Sequence, residues 1–167
     1  MNTYRIYPDT RPVIASFRDS YAFLSNFYYA EITYGNLRFA NNEAAFQAQK
    51  STCARERRQF CTHYLKNPAD AKRLGKSINL RPDWNTVKLR YMYEICMTKF
   101  LQHPELGEKL LATGNAILIE ENTWGDRYWG AVNGYGDNHL GEILMDIRSK
   151  LQLEREYQRT YGLCSRY

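Results

Sequence analysis

The distribution of apolar and polar positions divides the chain near residue 41. Before that point, Tyr4–Tyr7, Val13–Phe17, Tyr28–Tyr34 and Leu37–Phe39 are short runs of aromatic and β-branched residues separated by Pro, Asp and Gly, and they predict strands. Tyr34-Gly35-Asn36-Leu37 predicts a hairpin turn, although Gly-Asn is a weaker signal than Asn-Gly. After residue 41 the helical period dominates. Asn41 or Asn42 is placed to cap a first helix that opens with the strong formers Glu43, Ala44 and Ala45. A second helix is expected over Ala54–Leu65, and a third from Pro68 to Leu74 with Gly75 near its end. The longest central helix is expected from Pro82 to Gln102, where Trp84, Val87, Tyr91, Met92, Ile95, Cys96 and Phe100 form a wide apolar stripe that implies burial. Pro104 opens a short helix ending near Gly114, and Ala116–Glu120 reads as a strand. From Leu140 the spacing of Ile143, Leu144, Ile147 and Leu151 gives an amphipathic helix. Strands first and helices later predict an α+β fold: a helix-rich single domain over residues 1–167 with a small N-terminal sheet.

Composition adds one unusual feature. With 14 Tyr, 7 Phe and 3 Trp, the chain holds enough rings to fill a core and still wall a pocket that stacks a flat ligand. The cysteines Cys53, Cys61, Cys96 and Cys164 form no CxxC pair, and no His stands at metal-ligand spacing from them. Residues 1–15 lack the continuous apolar stretch of a signal peptide, and no apolar run approaches the roughly 20 residues of a membrane span. The expectation is a cytoplasmic protein with reduced thiols, no metal and no membrane partner. No GxGxxG occurs, and Gly75-Lys76-Ser77 lacks the leading glycine of a P-loop, with Asp70 in its place, so no nucleotide cofactor is expected either.

Charge is uneven. Between Lys50 and Arg90, eleven Lys/Arg stand against Glu56, Asp70 and Asp83, a local balance of +8 within a chain of net +5. Such a segment either attracts phosphate-bearing ligands or nucleic acid, or is the solvated face of ordinary helices.

Two segments carry candidate chemistry. In Asn41-Asn42-Glu43-Ala44-Ala45-Phe46-Gln47-Ala48-Gln49-Lys50, Glu43, Phe46/Gln47 and Lys50 recur at i, i+3/i+4 and i+7 and share one helix face. Glu43 and Lys50 would lie about 10 Å apart along the axis, a span that a small sugar bridges. The pattern also fits an exposed helix with a carboxylate near its N-terminus. The second segment, Trp124 to Asn138, gathers two Trp, two Tyr, two Asp and four Gly without helix or strand period. It reads as a functional loop.

At this point seven short blocks in order resemble the NADAR/YbiA-like family over nearly the whole chain. They are Phe23-Leu24-Ser25-Asn26-Phe27, the helix segment from Asn42 to Lys50, Arg81-Pro82-Asp83-Trp84 with Lys99-Phe100 following, Leu110 to Gly114, Asp126-Arg127-Tyr128-Trp129-Gly130, Asn138-His139-Leu140-Gly141 and Leu144 to Arg148. Ala44, Ala45 and Ala131-Val132-Asn133 depart from the family's usual residues. The resemblance implies a YbiA-like fold and hydrolysis of an N-glycosidic bond, either in a phosphoribosylamino-pyrimidine of riboflavin synthesis or in an ADP-ribosylated guanine of nucleic acid. It implies catalytic roles for Glu43 as acid/base, Lys50 as a nucleophile forming a Schiff base with the sugar C1, and Asp126 as positioner or electrostatic stabiliser. Trp84, Trp129 and Phe46 would stack on the ligand. Asn26, Gln47 and Asn138 would bond the sugar, with Phe27 and Gly130 as further contacts. Two other classes compete: a non-catalytic module that binds ADP-ribose or nucleotide, and a nucleic-acid-binding protein built on the basic half.

Overall fold

The structure is a computed structural model in which residues 10–162 are described. The expected strand Tyr4–Tyr7 and Cys164 lie outside them. Strand β1 (Val13–Ala15) stops sooner than its apolar run because Ser16 turns to φ 73, which sends Phe17 into the core. A 3-10 helix over Asp19–Leu24 follows, with Phe23 and Leu24 buried. Strands β2 (Ile32–Tyr34) and β3 (Leu37–Phe39) pair antiparallel, with Tyr34 opposite Leu37. The expected hairpin forms at Gly35 and Asn36, at φ 56 and 62, the left-handed pair that matches strand twist. Tyr28 stays out of the strand, since its N–H donates to Ser25 O in a turn at 3.3 Å.

Helix α1 (Asn42–Ala48) is capped by Asn41, whose Oδ1 accepts from Ala44 N at 2.9 Å. Helix α2 (Ala54–Arg58) ends well before Leu65 because the chain turns to dock on the hairpin. There Thr62 N donates to Arg38 O at 2.8 Å, and Phe60 is fully buried. Helix α3 (Pro68–Leu74) starts where its proline predicts, with Asn67 accepting from Ala69 N at 2.9 Å. Helix α4 (Trp84–Gln102) is the central element, followed by α5 (Pro104–Ala112), β4 (Ile117–Ile119) and α6 (His139–Tyr161).

The helix-rich α+β class holds, with one correction to the sheet. Strand β4 pairs parallel with β1, Val13 opposite Ile117, so the strands form two separate ribbons and one of them joins the N-terminal part to residue 119. Burial drives that pairing, since Leu118 is wholly inside while α6 packs over β4. Helix α4 lies against α1, α5, α6 and β2. Of its predicted stripe, Trp84, Met92, Ile95, Cys96 and Phe100 are inside and Val87 and Tyr91 are half-buried, while in α6 Ile143, Leu144 and Ile147 are inside and Leu151 is half-buried. The stripe also carries an unexpected member. Lys99 is fully buried, and its Nζ donates to Phe23 O at 2.8 Å and to Ser25 O at 3.3 Å, at the end of the 3-10 helix.

Asn41 also joins two segments, because its Nδ2 donates to Lys66 O at 2.9 Å. Asn41→Ala removes the cap and orphans that carbonyl, an expected loss of about 2–3 kcal/mol. Urea denaturation should show a lower midpoint with an unchanged slope.

Candidate active site

The parallel ribbon sets the location. The chain leaves the C-terminal end of β1 through Ser16, Phe17 and Arg18, and that of β4 through Glu120 and Glu121. All five line one cavity of about 580 Å³, whose other walls are α1, the start of α4, Lys72 of α3 and the loop after β4. That volume suits a small-molecule site.

Helix α1 supplies the deepest wall. All seven of its residues are buried, so it is not an exposed helix with a dipole-favoured carboxylate. The helix ends at Ala48, two residues before Lys50, but Gln49 N and Lys50 N each bond the carbonyl three residues back at 3.1 Å. This tightened turn keeps Lys50 on the expected face, and Glu43, Phe46, Gln47 and Lys50 all reach the cavity.

Glu43 Oε1 accepts from Gln47 Nε2 at 2.8 Å, and Glu43 N donates to Asn26 O at 3.0 Å. Burial raises the Glu43 carboxyl above the usual carboxylate range; the Gln47 donor, Lys72 and Lys50 pull it back, and Asp126 pushes it up. Lys50 is half-buried, with Nζ 3.5 Å from Gly75 O and 6.0 Å from the Trp84 ring centre. Burial lowers its pKa, Glu43 opposes that, and the charges of Lys72 and Lys76 add to it.

The predicted rings form a connected wall. Phe46 lies 5.0 Å from Trp84 and 5.3 Å from Trp129, tilted to one and edge-on to the other. Phe27 is exposed at the mouth, with Lys72 Nζ 6.0 Å from its ring. Asn26 lines the cavity and binds inward, donating to Met92 Sδ at 3.2 Å and accepting from Asn42 Nδ2 at 3.4 Å. Asp126 lines it too, but its Oδ1 accepts from Trp129 N at 2.9 Å and Tyr128 N at 3.2 Å, which shapes the loop and sets the Trp129 ring.

Two expected contacts lie behind the wall. A Cβ at Gly130 would stand 2.0 Å from Glu120 O, so Gly130 serves close backbone packing. Asn138, at φ 51, accepts from Glu120 N at 3.0 Å and donates to Leu118 O at 2.9 Å. Both hold Glu120 without reaching the cavity. Sequence reasoning missed Glu120 itself, together with Lys72, Lys88 and Arg18 of the lining, while Trp124 belongs to the loop it read as functional. The basic segment signalled Lys72 and Lys88 in bulk without saying which side chains turn inward, and Glu120 was hidden at a strand end. Burial, then the charge of Asp126, pushes the Glu120 carboxyl up to about 7.

Comparison with known proteins places the chain in a family. The NADAR domain family model matches residues 14–152. The chain belongs to the NADAR family. Among NADAR relatives, the N-glycosidase YbiA of Escherichia coli is 36% identical over 153 residues, covering 90% of this chain and 94% of that protein. An N-glycosidase of Nostoc punctiforme is 35% identical over 136 residues, covering 79% and 86%. A riboflavin biosynthesis protein of Vibrio vulnificus is 34% identical over 142 residues, which are 83% of this chain and 38% of that longer protein. The NMR structure of Escherichia coli YbiA superposes with a TM-score of 0.77, at 36% identity over 90% of this chain and 92% of that one. Among the described residues, no helix of this NADAR chain is long and apolar enough to cross a membrane.

The raised Glu120 pKa has a consequence for stability. A carboxyl whose folded pKa lies above its unfolded value stabilises the fold below the unfolded pKa, and that contribution is lost as pH rises through the folded one. For Glu120 the window runs from 4.5 to about 7. Between pH 5 and 8 the wild type should lose about 3 kcal/mol more than Glu120→Gln, as read from denaturation midpoints.

Proposed function

We propose that this chain is an N-glycosidase that hydrolyses the C1–N bond between a phosphate-bearing ribosyl group and a flat nitrogenous ring, with Lys50 as nucleophile. The observation that carries this is one cavity holding an amine of lowered pKa, buried carboxyl groups and a wall of three rings. Relatives named N-glycosidase and riboflavin biosynthesis protein support the reaction class and favour a phosphoribosylamino-pyrimidine. ADP-ribosylated guanine presents the same bond and is the second substrate to test. Lys72, Lys88 and Arg18 give the mouth a positive field suited to phosphate.

The chemistry follows from the side chains. Breaking C1–N places positive charge on the sugar carbon, which the nearby carboxylates stabilise. The Lys50 lone pair forms a C1–Nζ bond while the C1–N pair leaves with the base's nitrogen, the exocyclic amine of a phosphoribosylamino-pyrimidine, which takes a proton from a cavity carboxyl group. Transfer of an Nζ proton to the ring oxygen of the sugar opens C1–O and gives the Schiff base. Closure and attack of water at C1 then release Lys50 and the free sugar. Glu43, next to Lys50 in the field, serves as acid/base. Phe46, Trp84 and Trp129 hold the flat ring, and Asp126 sets the Trp129 side of that wall.

Incubation with each substrate and borohydride should attach the sugar covalently to the wild type and leave Lys50→Ala unlabelled. Glu43→Gln should slow release of the free base by about 10²–10⁴-fold. Tight binding with no release across both substrates would instead make the chain a nucleotide reader.

A further inference from the structure

Four acids line the cavity, Glu43, Glu120, Glu121 and Asp126, and three of them differ sharply in what holds the side chain. Glu43 receives the Gln47 amide, and Asp126 receives two backbone N–H groups. Such donors favour the carboxylate form. Glu120 has none: its Oε2 is buried and has no hydrogen-bond partner among the described residues. Its backbone, by contrast, is clamped. The N–H of Glu120 donates to Asn138 Oδ1 at 3.0 Å, its carbonyl accepts from Ala131 N at 2.9 Å, and Gly130 packs against it too closely for a Cβ. A rigid backbone thus presents a side chain that no donor among the described residues holds, at the end of β4 and in the cavity lining.

We propose that Glu120 is the acid that protonates the departing nitrogen of the base, leaving Glu43 to exchange protons with Lys50; this assignment rests on the N-glycosidase function proposed above. The two carboxyls are separated in role by environment, as acid and base pairs are in other glycosidases. Asp126 and Glu43 face Glu120 with negative charge, Lys72 and Lys99 oppose them with positive charge, and burial outweighs both. The group therefore still carries a proton near neutral pH.

The step balances. As C1–N breaks, its electron pair stays on the leaving nitrogen, the Glu120 O–H proton moves to that nitrogen, and the Lys50 lone pair forms C1–Nζ. In the second half, water adds to C1, the C1–Nζ pair returns to Lys50, and the proton released by water restores Glu120. Asn138 and Gly130 act through Glu120 and are positioning residues.

The test compares Glu120→Gln with wild type on two phosphoribosyl compounds. In the phosphoribosylamino-pyrimidine the leaving nitrogen needs a proton; in nicotinamide mononucleotide the pyridinium nitrogen leaves neutral without one. Glu120→Gln should lose about 100-fold or more on the first and little on the second, and the fall in rate above about pH 7 should vanish. Asn138→Gly keeps the left-handed backbone but removes the clamp, and should shift that alkaline limb without abolishing borohydride trapping at Lys50. An equal loss on both compounds, or an unmoved alkaline limb in both variants, overturns the assignment to Glu120 while leaving the N-glycosidase function standing. An inactive wild type that also fails to trap overturns both.

Discussion

Helix α1 runs through the interior with no exposed face, and its Asn42, Glu43 and Gln47, together with the flanking Asn41 and Gln49, must find polar partners there. An unpaired buried amide or carboxyl costs on the order of 1–3 kcal/mol. The helix meets most of this demand by binding to the elements around it, while Asn42 Oδ1 and Gln47 Oε1 have no hydrogen-bond partner among the described residues. Asn41 holds Lys66, Asn42 meets Asn26 and Cys96, Gln47 meets Glu43, and Gln49 accepts from Arg57 while donating to Ala45 O. These bonds fix the segment before α1, the turn before α3 and helix α2 relative to one carboxylate. The site's precision is a by-product of satisfying a buried polar helix.

That same burial sets the electrostatics. In a poorly solvated cavity, desolvation acts in opposite directions on acids and amines, raising Glu43 and Glu120 and lowering Lys50. Each change brings a group that would be fully ionised in water closer to exchanging its proton at neutral pH. The charges then couple, since Glu43 stabilises the Lys50 ammonium while Lys72 and Lys76 oppose it. Proton positions are therefore a property of the cluster, and filling the cavity with a phosphorylated ligand would alter all of them together.

The helices were legible wherever period and punctuation agreed. Pro68, Pro104 and the stripes of α4 and α6 placed their elements closely, and Gly35-Asn36 gave the hairpin despite its weaker dipeptide order. The end of α2 was not legible, because Thr62 is captured by Arg38 some two dozen positions earlier, a contact without local signature. The β1–β4 pairing failed for the same reason: parallel partners more than a hundred residues apart leave no turn to read. In the site, periodicity alone aligned Glu43, Phe46, Gln47 and Lys50, and family blocks supplied Asn26, Trp84, Asp126 and Trp129. Gly130 and Asn138 belong to the same blocks yet work one layer back, since a motif cannot distinguish a residue that touches a ligand from one that holds its neighbour.

Lys99 shows how that second layer can serve the first. It lies within the field of Glu120, yet its ammonium bonds the carbonyls of Phe23 and Ser25, and no described ion pair joins it to a carboxylate. Burial lowers Lys99 to about 8, so it remains charged near neutral pH while Glu120 stays near the point of releasing its proton. A direct pair would hold Glu120 ionised and remove an acid from the cavity. Bonded to Ser25 O instead, Lys99 anchors the residue before Asn26, whose carbonyl receives the Glu43 N–H. One buried cation thus stiffens the wall beneath Glu43 and tempers Glu120 from a distance, a use for a fully buried lysine on the inward face of α4.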